Sequence, residues 1–204
     1  MIKRKKSGLV IVISGPSGAG KSTVISEIMH QREKLYFSIS YTTRAPRAGE
    51  QEGVNYHFVE QSEFERMIRD EELLEYTCYQ GKYYGTSNKL IDEKLAAGYD
   101  VLLDIEVEGG GNVRNRREDA VLIFVLPPSY EELSRRLYGR RTETEETIRG
   151  RLQRAREEIE QIPNYDYLVV NDSVAEAAED ILAILEAEHC KKEKNTFDFR
   201  NWEV

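Results

Sequence analysis

Leu9-Val10-Ile11-Val12-Ile13-Ser14-Gly15-Pro16-Ser17-Gly18-Ala19-Gly20-Lys21-Ser22 is the stretch from which the rest of the 204-residue chain can be read. The aliphatic, mostly β-branched run Leu9–Ser14 has the texture of a strand buried on both faces. It passes directly into Gly15–Ser22, which fits G-x-x-x-x-G-K-[ST], and then into Val24, Ile25, Ile28 and Met29 at helical spacing. Strand, glycine loop and helix in this order are the context in which such a loop holds phosphate. The glycines let backbone N–H groups converge on phosphate oxygens, and the helix start adds a positive dipole end. Lys21 reaches the β/γ-phosphates and the Ser22 hydroxyl can ligate Mg2+, so a nucleoside triphosphate is the expected ligand.

Working outward, further short aliphatic runs at Val101–Ile105, Ala120–Leu126 and Tyr167–Val170 read as buried strands. Helical spacing follows at Tyr130, Leu133 and Leu137, and at Val174, Ala178, Ile181, Leu182 and Leu185. Capping boxes mark helix starts at Ser62…Glu65, Ser129…Glu132, Thr142…Glu145 and Ser173…Glu176. Alternating strands and helices imply an α/β fold around a mainly parallel sheet. With 40% apolar and 32% charged residues the chain has the composition of a globular protein of one domain, and global disorder is excluded. The net charge of −8 disfavours sequence-independent binding to polymeric nucleic acid, so an anionic ligand must meet a local cluster of cations. No run approaches the ~20 apolar residues that cross a bilayer, and Met1–Lys6 reads as a solvated basic arm. Cys78 and Cys190 lie far apart without CxxC spacing, and His30, His57 and His189 are scattered, which suggests neither a disulfide framework nor zinc, and a reducing cytoplasm.

Two stretches break the alternation. Residues 38–87 change to short, Tyr-rich, strand-like pieces (Asn55–Val59, Leu73–Tyr79, Lys82–Gly85) around one short helix, Glu63–Arg69, as an insert of antiparallel character. Residues 139–160 are almost wholly polar, rich in Arg and Glu; such a segment has no face to bury and belongs outside the core, as a mobile lid. The core is then 8–37, 88–138 and 161–190, with a tail at 191–204 carrying Phe197, Phe199 and Trp202.

Inside the insert stands Ser38-Ile39-Ser40-Tyr41-Thr42-Thr43-Arg44-Ala45-Pro46-Arg47-Ala48-Gly49-Glu50, followed by Tyr56, Glu75 and Gly81-Lys82-Tyr83-Tyr84-Gly85-Thr86-Ser87. Two arginines three apart, stiffened by Pro46 and joined by the Tyr56 phenol, make a fork for a second phosphate group. Taken singly, these are ordinary surface ion-pair partners and strand residues. As an ordered set, S-x-T-T-R-x-P-R-x-G-E with Y-Y-G-T, the sequence closely resembles the guanylate kinases, collinearly from about Leu9 to Leu185. The resemblance implies a P-loop nucleoside monophosphate kinase fold: a parallel central sheet flanked by helices, a mixed α/β GMP-binding insert and a helical lid. It implies that Gly15, Ser17, Gly18, Ala19, Gly20, Lys21, Ser22 and Thr23 bind ATP, that Arg44, Arg47, Tyr56 and Tyr84 hold the GMP phosphate, and that Ser40, Glu75 and Thr86 read the base. The chemistry agrees: hydroxyls suit guanine O6 and a carboxylate suits N1–H and N2–H2, whereas adenine would leave a buried carboxylate unpaired.

Val101-Leu102-Leu103-Asp104 ends a strand with a carboxylate, the Walker-B arrangement for Mg2+, although an Asp after a strand is also an ordinary turn or cap residue. The family reads L-D-[IV]-[DE]-x-Q-G here; Asp104 and Glu106 would face GMP, Ser22 and Asp104 the metal, and Glu108 stands where the family has an amide. Arg136-Leu137-Tyr138-Gly139-Arg140-Arg141-Thr142-Glu143 and Arg151-Leu152 resemble the lid pattern R-L-x-x-R-G-T-E…R-L, with Arg141 in place of glycine. By position, Lys21, Arg140 and Arg151 would neutralise the transferring phosphate, while Arg149, Arg154 and Arg156 read as salt-bridged solvent residues. Asn171 matches a position that contacts adenine, with a helix cap as the competing reading.

The implied reaction is Mg2+-dependent transfer of the ATP γ-phosphoryl group to GMP, and to dGMP. Two other readings stand beside it. A non-catalytic phosphopeptide-binding module of the same family would lack Lys21 and the lid arginines. A P-loop kinase with another phosphorylated acceptor is opposed by Ser40, Glu75 and Thr86.

Overall fold

The computed structural model describes residues 8–139 and 144–195; the basic arm, Arg140 and Arg141, the Thr142 cap and the aromatic tail lie outside the described residues. In chain order the elements are β1 (Val10–Ser14), α1 (Lys21–Gln31), β2 (Leu35–Phe37), β3 (Tyr41–Thr42), β4 (His57–Phe58), α2 (Gln61–Arg69), β5 (Leu73–Tyr79) and β6 (Lys82–Ser87). There follow α3 (Asn88–Ala96), β7 (Asp100–Asp104), α4 (Val107–Arg116), β8 (Val121–Leu126), α5 (Tyr130–Gly139), α6 (Glu145–Ile159), β9 (Tyr167–Val170) and α7 (Val174–Cys190).

The expected aliphatic runs become adjacent strands of one five-stranded sheet, ordered β2-β7-β1-β8-β9 and parallel throughout. β1 lies in the middle, buried on both faces, which is why it shows no polar alternation. On one face Ile11, Ile13 and Ile123 pack with Ile28 of α1 and with Ile181 and Leu185 of α7. On the other, Val12, Leu103 and Leu122 pack with Ile91 of α3 and Val113 of α4. β2 was not expected: three residues are too few to show a period, and only the pairing of Leu35 with Asp100 makes them a strand. α4 was not expected either, since Gly109, Gly110 and Gly111 disfavour a helix. Packing of Val113 into the core holds it, and Gly109 is required for space, because a Cβ there would lie 2.9 Å from Glu75 Oε2.

One buried ionic knot ties the far ends of the core together. Asp100 accepts from the Leu9 N–H at 2.9 Å, from Arg32 Nε and Nη2 at 3.1 and 2.8 Å, and pairs with His189 Nε2 at 3.0 Å. Burial alone would raise its pKa, but the His189 and Leu9 hydrogen bonds and the charges of His189 and Arg32 hold it below the ordinary value.

The insert forms its own four-stranded sheet, β4-β3-β6-β5, beside α2. It has the expected antiparallel character in β3-β6-β5, with β4 added parallel to β3. Phe64, Met67 and Leu73 form its small core, with Phe64 stacked on Tyr83. α2 starts earlier than the Ser62…Glu65 box predicts: Val59 N–H donates to Thr42, Glu60 takes the cap position, and Ser62 lies inside the first turn. The hydroxyl half of the boxes at Ser129 and Ser173 forms, each Oγ accepting from Glu132 and Glu176 N–H at 3.1 and 3.5 Å, while the Glu132 carboxylate turns to Arg135 and Arg136.

The polar segment around α6 also differs from expectation. Its helix starts at Glu145 behind Thr144, whose hydroxyl accepts from Thr147 N–H. It does have an apolar stripe: Ile148, Leu152 and Ala155, at spacings of four and three, bury against Leu133 and Leu137 of α5. So α5 and α6 share a minor core separate from the main one.

Candidate functional site

The loop Gly15–Gly20 leaves the carboxyl end of β1 and enters α1 with Gly20 as the cap residue. Gly20 has φ 86°, and a Cβ there would lie 2.4 Å from Asn171 Nδ2, so both backbone and packing require glycine. Asn171 is buried and donates Nδ2–H to Ala19 O at 2.7 Å, while its buried Oδ1 has no hydrogen-bond partner among the described residues. Ser173 caps α7, so Asn171 is not a cap; it braces the loop. Arg136 does the same from α5, donating to Ala19 O at 3.3 Å and Asn171 O at 2.9 Å. Glu132 orients Arg136, and hydrogen bonds from Arg135 and Arg136 pull its carboxyl down to about 2. The sequence reading quoted Arg136 without giving it a role.

Within this frame Lys21 Nζ lies 2.7 Å from Gly15 O, and Ser22 and Thr23 are exposed on the first turn of α1. Asp104 sits across from Ile13 at the end of β7. Burial raises its pKa, with the Lys21 charge opposing and Glu106 adding to the rise. Arg151 reaches from α6 to the loop, Nη1 lying 3.2 Å from the exposed Ser17 Oγ. Arg140 lies outside the described residues.

Between the insert and the carboxyl end of β7 is a cavity of about 230 Å3. Ser40, Arg44, Arg47, Tyr56, Glu75, Tyr84, Asp104 and Glu106 all line it, with Tyr79 and Gly109 among the others. Residues up to 69 positions apart thus meet around one cavity. Strand register explains part of this: Thr42 pairs with Tyr84, and Glu75 with Thr86. Thr86 is fully buried behind Glu75 and donates to Glu75 Oε1 at 2.7 Å, so it holds the carboxylate rather than facing the cavity. Glu75 is itself 4% exposed. Burial pushes its pKa up to about 7, against the Thr86 hydrogen bond and the Arg116 charge, with Glu108 adding to the rise. Glu108, exposed on the first turn of α4, acts on the cavity only through that field.

Glu50, quoted in the motif without a role, builds the arginine fork. It accepts from both Arg44 terminal nitrogens at 2.9 Å and from the Arg47 N–H at 2.7 Å. The Arg44 guanidinium lies over the Tyr56 and Phe58 rings at 5.4 and 5.9 Å. Tyr56 meets Tyr84 edge-on at 5.9 Å. Arg154 is not the solvent residue expected: it spans from α6 to Glu106 and Tyr79 on the cavity rim.

The chain that carries this loop and cavity is similar to known proteins along nearly its whole length. The guanylate kinase family model matches residues 7–188. A guanylate kinase of Halalkalibacterium halodurans is 50% identical over 190 residues, covering 93% of each chain. One of Bacillus cereus is 49% identical over 192 residues, covering 94% of each. The crystal structure of guanylate kinase from Anaplasma phagocytophilum superposes with a TM-score of 0.77 at 35% identity, covering 96% of this chain and 92% of that one. The family pattern spans nearly all of the chain, both sheets and both halves of the site included, and the chain belongs to the guanylate kinase family.

Proposed function

We propose that this protein transfers the γ-phosphoryl group of ATP to GMP or dGMP, giving ADP and GDP or dGDP, as a cytoplasmic step of purine nucleotide metabolism. The observation that carries the reading is a single cavity in which the Arg44/Arg47/Tyr56/Tyr84 fork and the buried Glu75 carboxylate lie beside Asp104, which feels the charge of the phosphate-loop Lys21. In this reading the fork holds the acceptor phosphate, and Ser40 and Glu75 read guanine, Thr86 keeping Glu75 in place. Lys21, Arg151 and Arg140 neutralise charge on the group in transfer. An acceptor phosphate oxygen is already anionic, so no residue needs to remove a proton; position and charge carry the rate. Arg136 and Asn171 keep the loop in shape for the triphosphate.

The donor set fits Mg2+. Asp104 offers a half-buried carboxylate at a strand end and Ser22 an exposed hydroxyl on the adjoining helix. Among the described residues no group of three acidic, His or Cys side chains could hold a metal alone, so nucleotide phosphates and water would complete the shell. Bound there, the ion would neutralise phosphate charge.

ADP formation measured against GMP, dGMP, IMP and AMP tests the reading. GMP should lead by at least roughly tenfold over AMP, the loss expected when a hydrogen-bonding site meets the wrong edge. Equal rates with all four, or no nucleotide-dependent ADP, would overturn it.

A further inference from the structure

Arg154 joins three parts of the molecule. Its stem leaves α6, its Nη2 lies 2.5 Å from Glu106 Oε2, its Nε lies 3.1 Å from Glu158 Oε1, and its guanidinium covers the Tyr79 ring at 4.4 Å. Glu106 belongs to the core and Tyr79 to the insert strand β5, and both line the cavity assigned to GMP. Glu158 lies on α6 one turn beyond Arg154 and feels the charges of both Glu106 and Lys21. Arg154 is therefore a cation between two carboxylates at the mouth of a site for an anionic nucleotide. It shares the α6 helix with Arg151, which faces the phosphate loop.

We propose that Arg154 is a positioning residue that holds Glu106 on the cavity wall and straps α6 to the GMP-binding insert, so that acceptor binding and the placing of Arg151 are coupled. The inference rests on the functional reading above. The physical argument is a balance of charge and shape. One Glu106 oxygen is taken by Arg154, which fixes the carboxylate, while the planar guanidinium lies on a ring that a flexible ammonium would cover poorly. Without the guanidinium, Glu106 and Glu158 would repel each other and the incoming phosphate. Because Arg154 is about one-third exposed, solvent screens the pair and the effect is moderate.

The test is a double-mutant cycle on the full chain. Arg154→Met keeps the stem and removes the cation. It should raise KM for GMP by roughly three- to tenfold while KM for ATP changes by less than about twofold. In a Glu106→Gln background the same substitution should add little further loss, because the partner charge is already gone. Arg154→Lys, which retains a charge, should recover part of the KM, and circular dichroism should show all variants folded. An unchanged KM for GMP, an equal loss in both backgrounds, or a loss confined to kcat would overturn the role of Arg154. Absence of GMP-dependent ADP formation by the unmodified protein would instead overturn the functional reading beneath it.

Discussion

Replacing Glu75 by Gln should stabilise the protein while it damages the site. Glu75 is buried, and its carboxyl is pushed from an ordinary 4.5 up to about 7. At about 1.4 kcal/mol per pH unit, that gap amounts to roughly 3 kcal/mol. The sign follows from proton counting. Below about pH 4.5 the group is protonated in both folded and unfolded chains and costs nothing. Between there and about pH 7 the unfolded chain ionises first, so the folded state holds the extra proton and stability falls as pH rises. Above about pH 7 the whole cost is present. Gln keeps the bond from Thr86 through its carbonyl oxygen and carries no charge, so it escapes this titration. Urea unfolding of the two proteins, without nucleotide, at steps from pH 4.5 to 8 isolates the group, because all other titrations cancel in the difference. The Gln variant should gain on the parent by up to about 3 kcal/mol across that range. A difference that stays constant with pH would refute the argument that burial strains this carboxylate. The same substitution places an N–H2 against guanine donors and should lower kcat/KM for GMP by at least roughly tenfold, with AMP little affected.

Other outcomes follow from the same geometry. Lys21→Ala should abolish ADP formation in a folded protein, since Nζ holds the loop carbonyl of Gly15 and no core contact among the described residues; near-normal turnover would remove it from the mechanism. Arg151→Ala should lower kcat much more than it raises KM for GMP, because Arg151 faces the phosphate loop and not the acceptor cavity; a loss seen wholly in KM would reverse that assignment. Asp100→Ala should cost about 1–3 kcal/mol at pH 7, because the buried Leu9 N–H loses its acceptor and Arg32 keeps only the exposed Glu186 among the described residues. In the parent protein that contribution is complete above the ordinary carboxylate range and is lost as pH falls through the lowered folded pKa; denaturant unfolding that moves by less than about 1 kcal/mol would show the knot to be dispensable.

Sequence alone determined what is local or periodic. Leu9–Ser14 had to be a buried strand because five aliphatic residues in a row leave no face for water, and the loop after it announced a phosphate site because its glycines and Lys21 fall within one short stretch at the motif's spacing. The ordered insert motif likewise pointed to a GMP site, and nearly all of its residues share one cavity. What the tertiary structure decided depends on distances between segments that no spacing encodes. β2 and β3 are strands only because partners lie beside them, and α4 carries Gly109 because Glu75 leaves no room for a Cβ there, the helix being held by packing such as that of Val113. Thr86 turned out to stand behind Glu75, Glu50 to grip Arg44, and Asn171 to brace the phosphate loop across the sheet. α6 looked polar throughout because an apolar stripe of three residues is diluted by the charges around it, and only α5 beside it gives that stripe something to bury. Arg154 looked like any solvent arginine for the same reason: its partners, Glu106 and Tyr79, are brought to it by the packing of three separate segments, and ion pairs form where side chains converge in space, not where they neighbour each other along the chain.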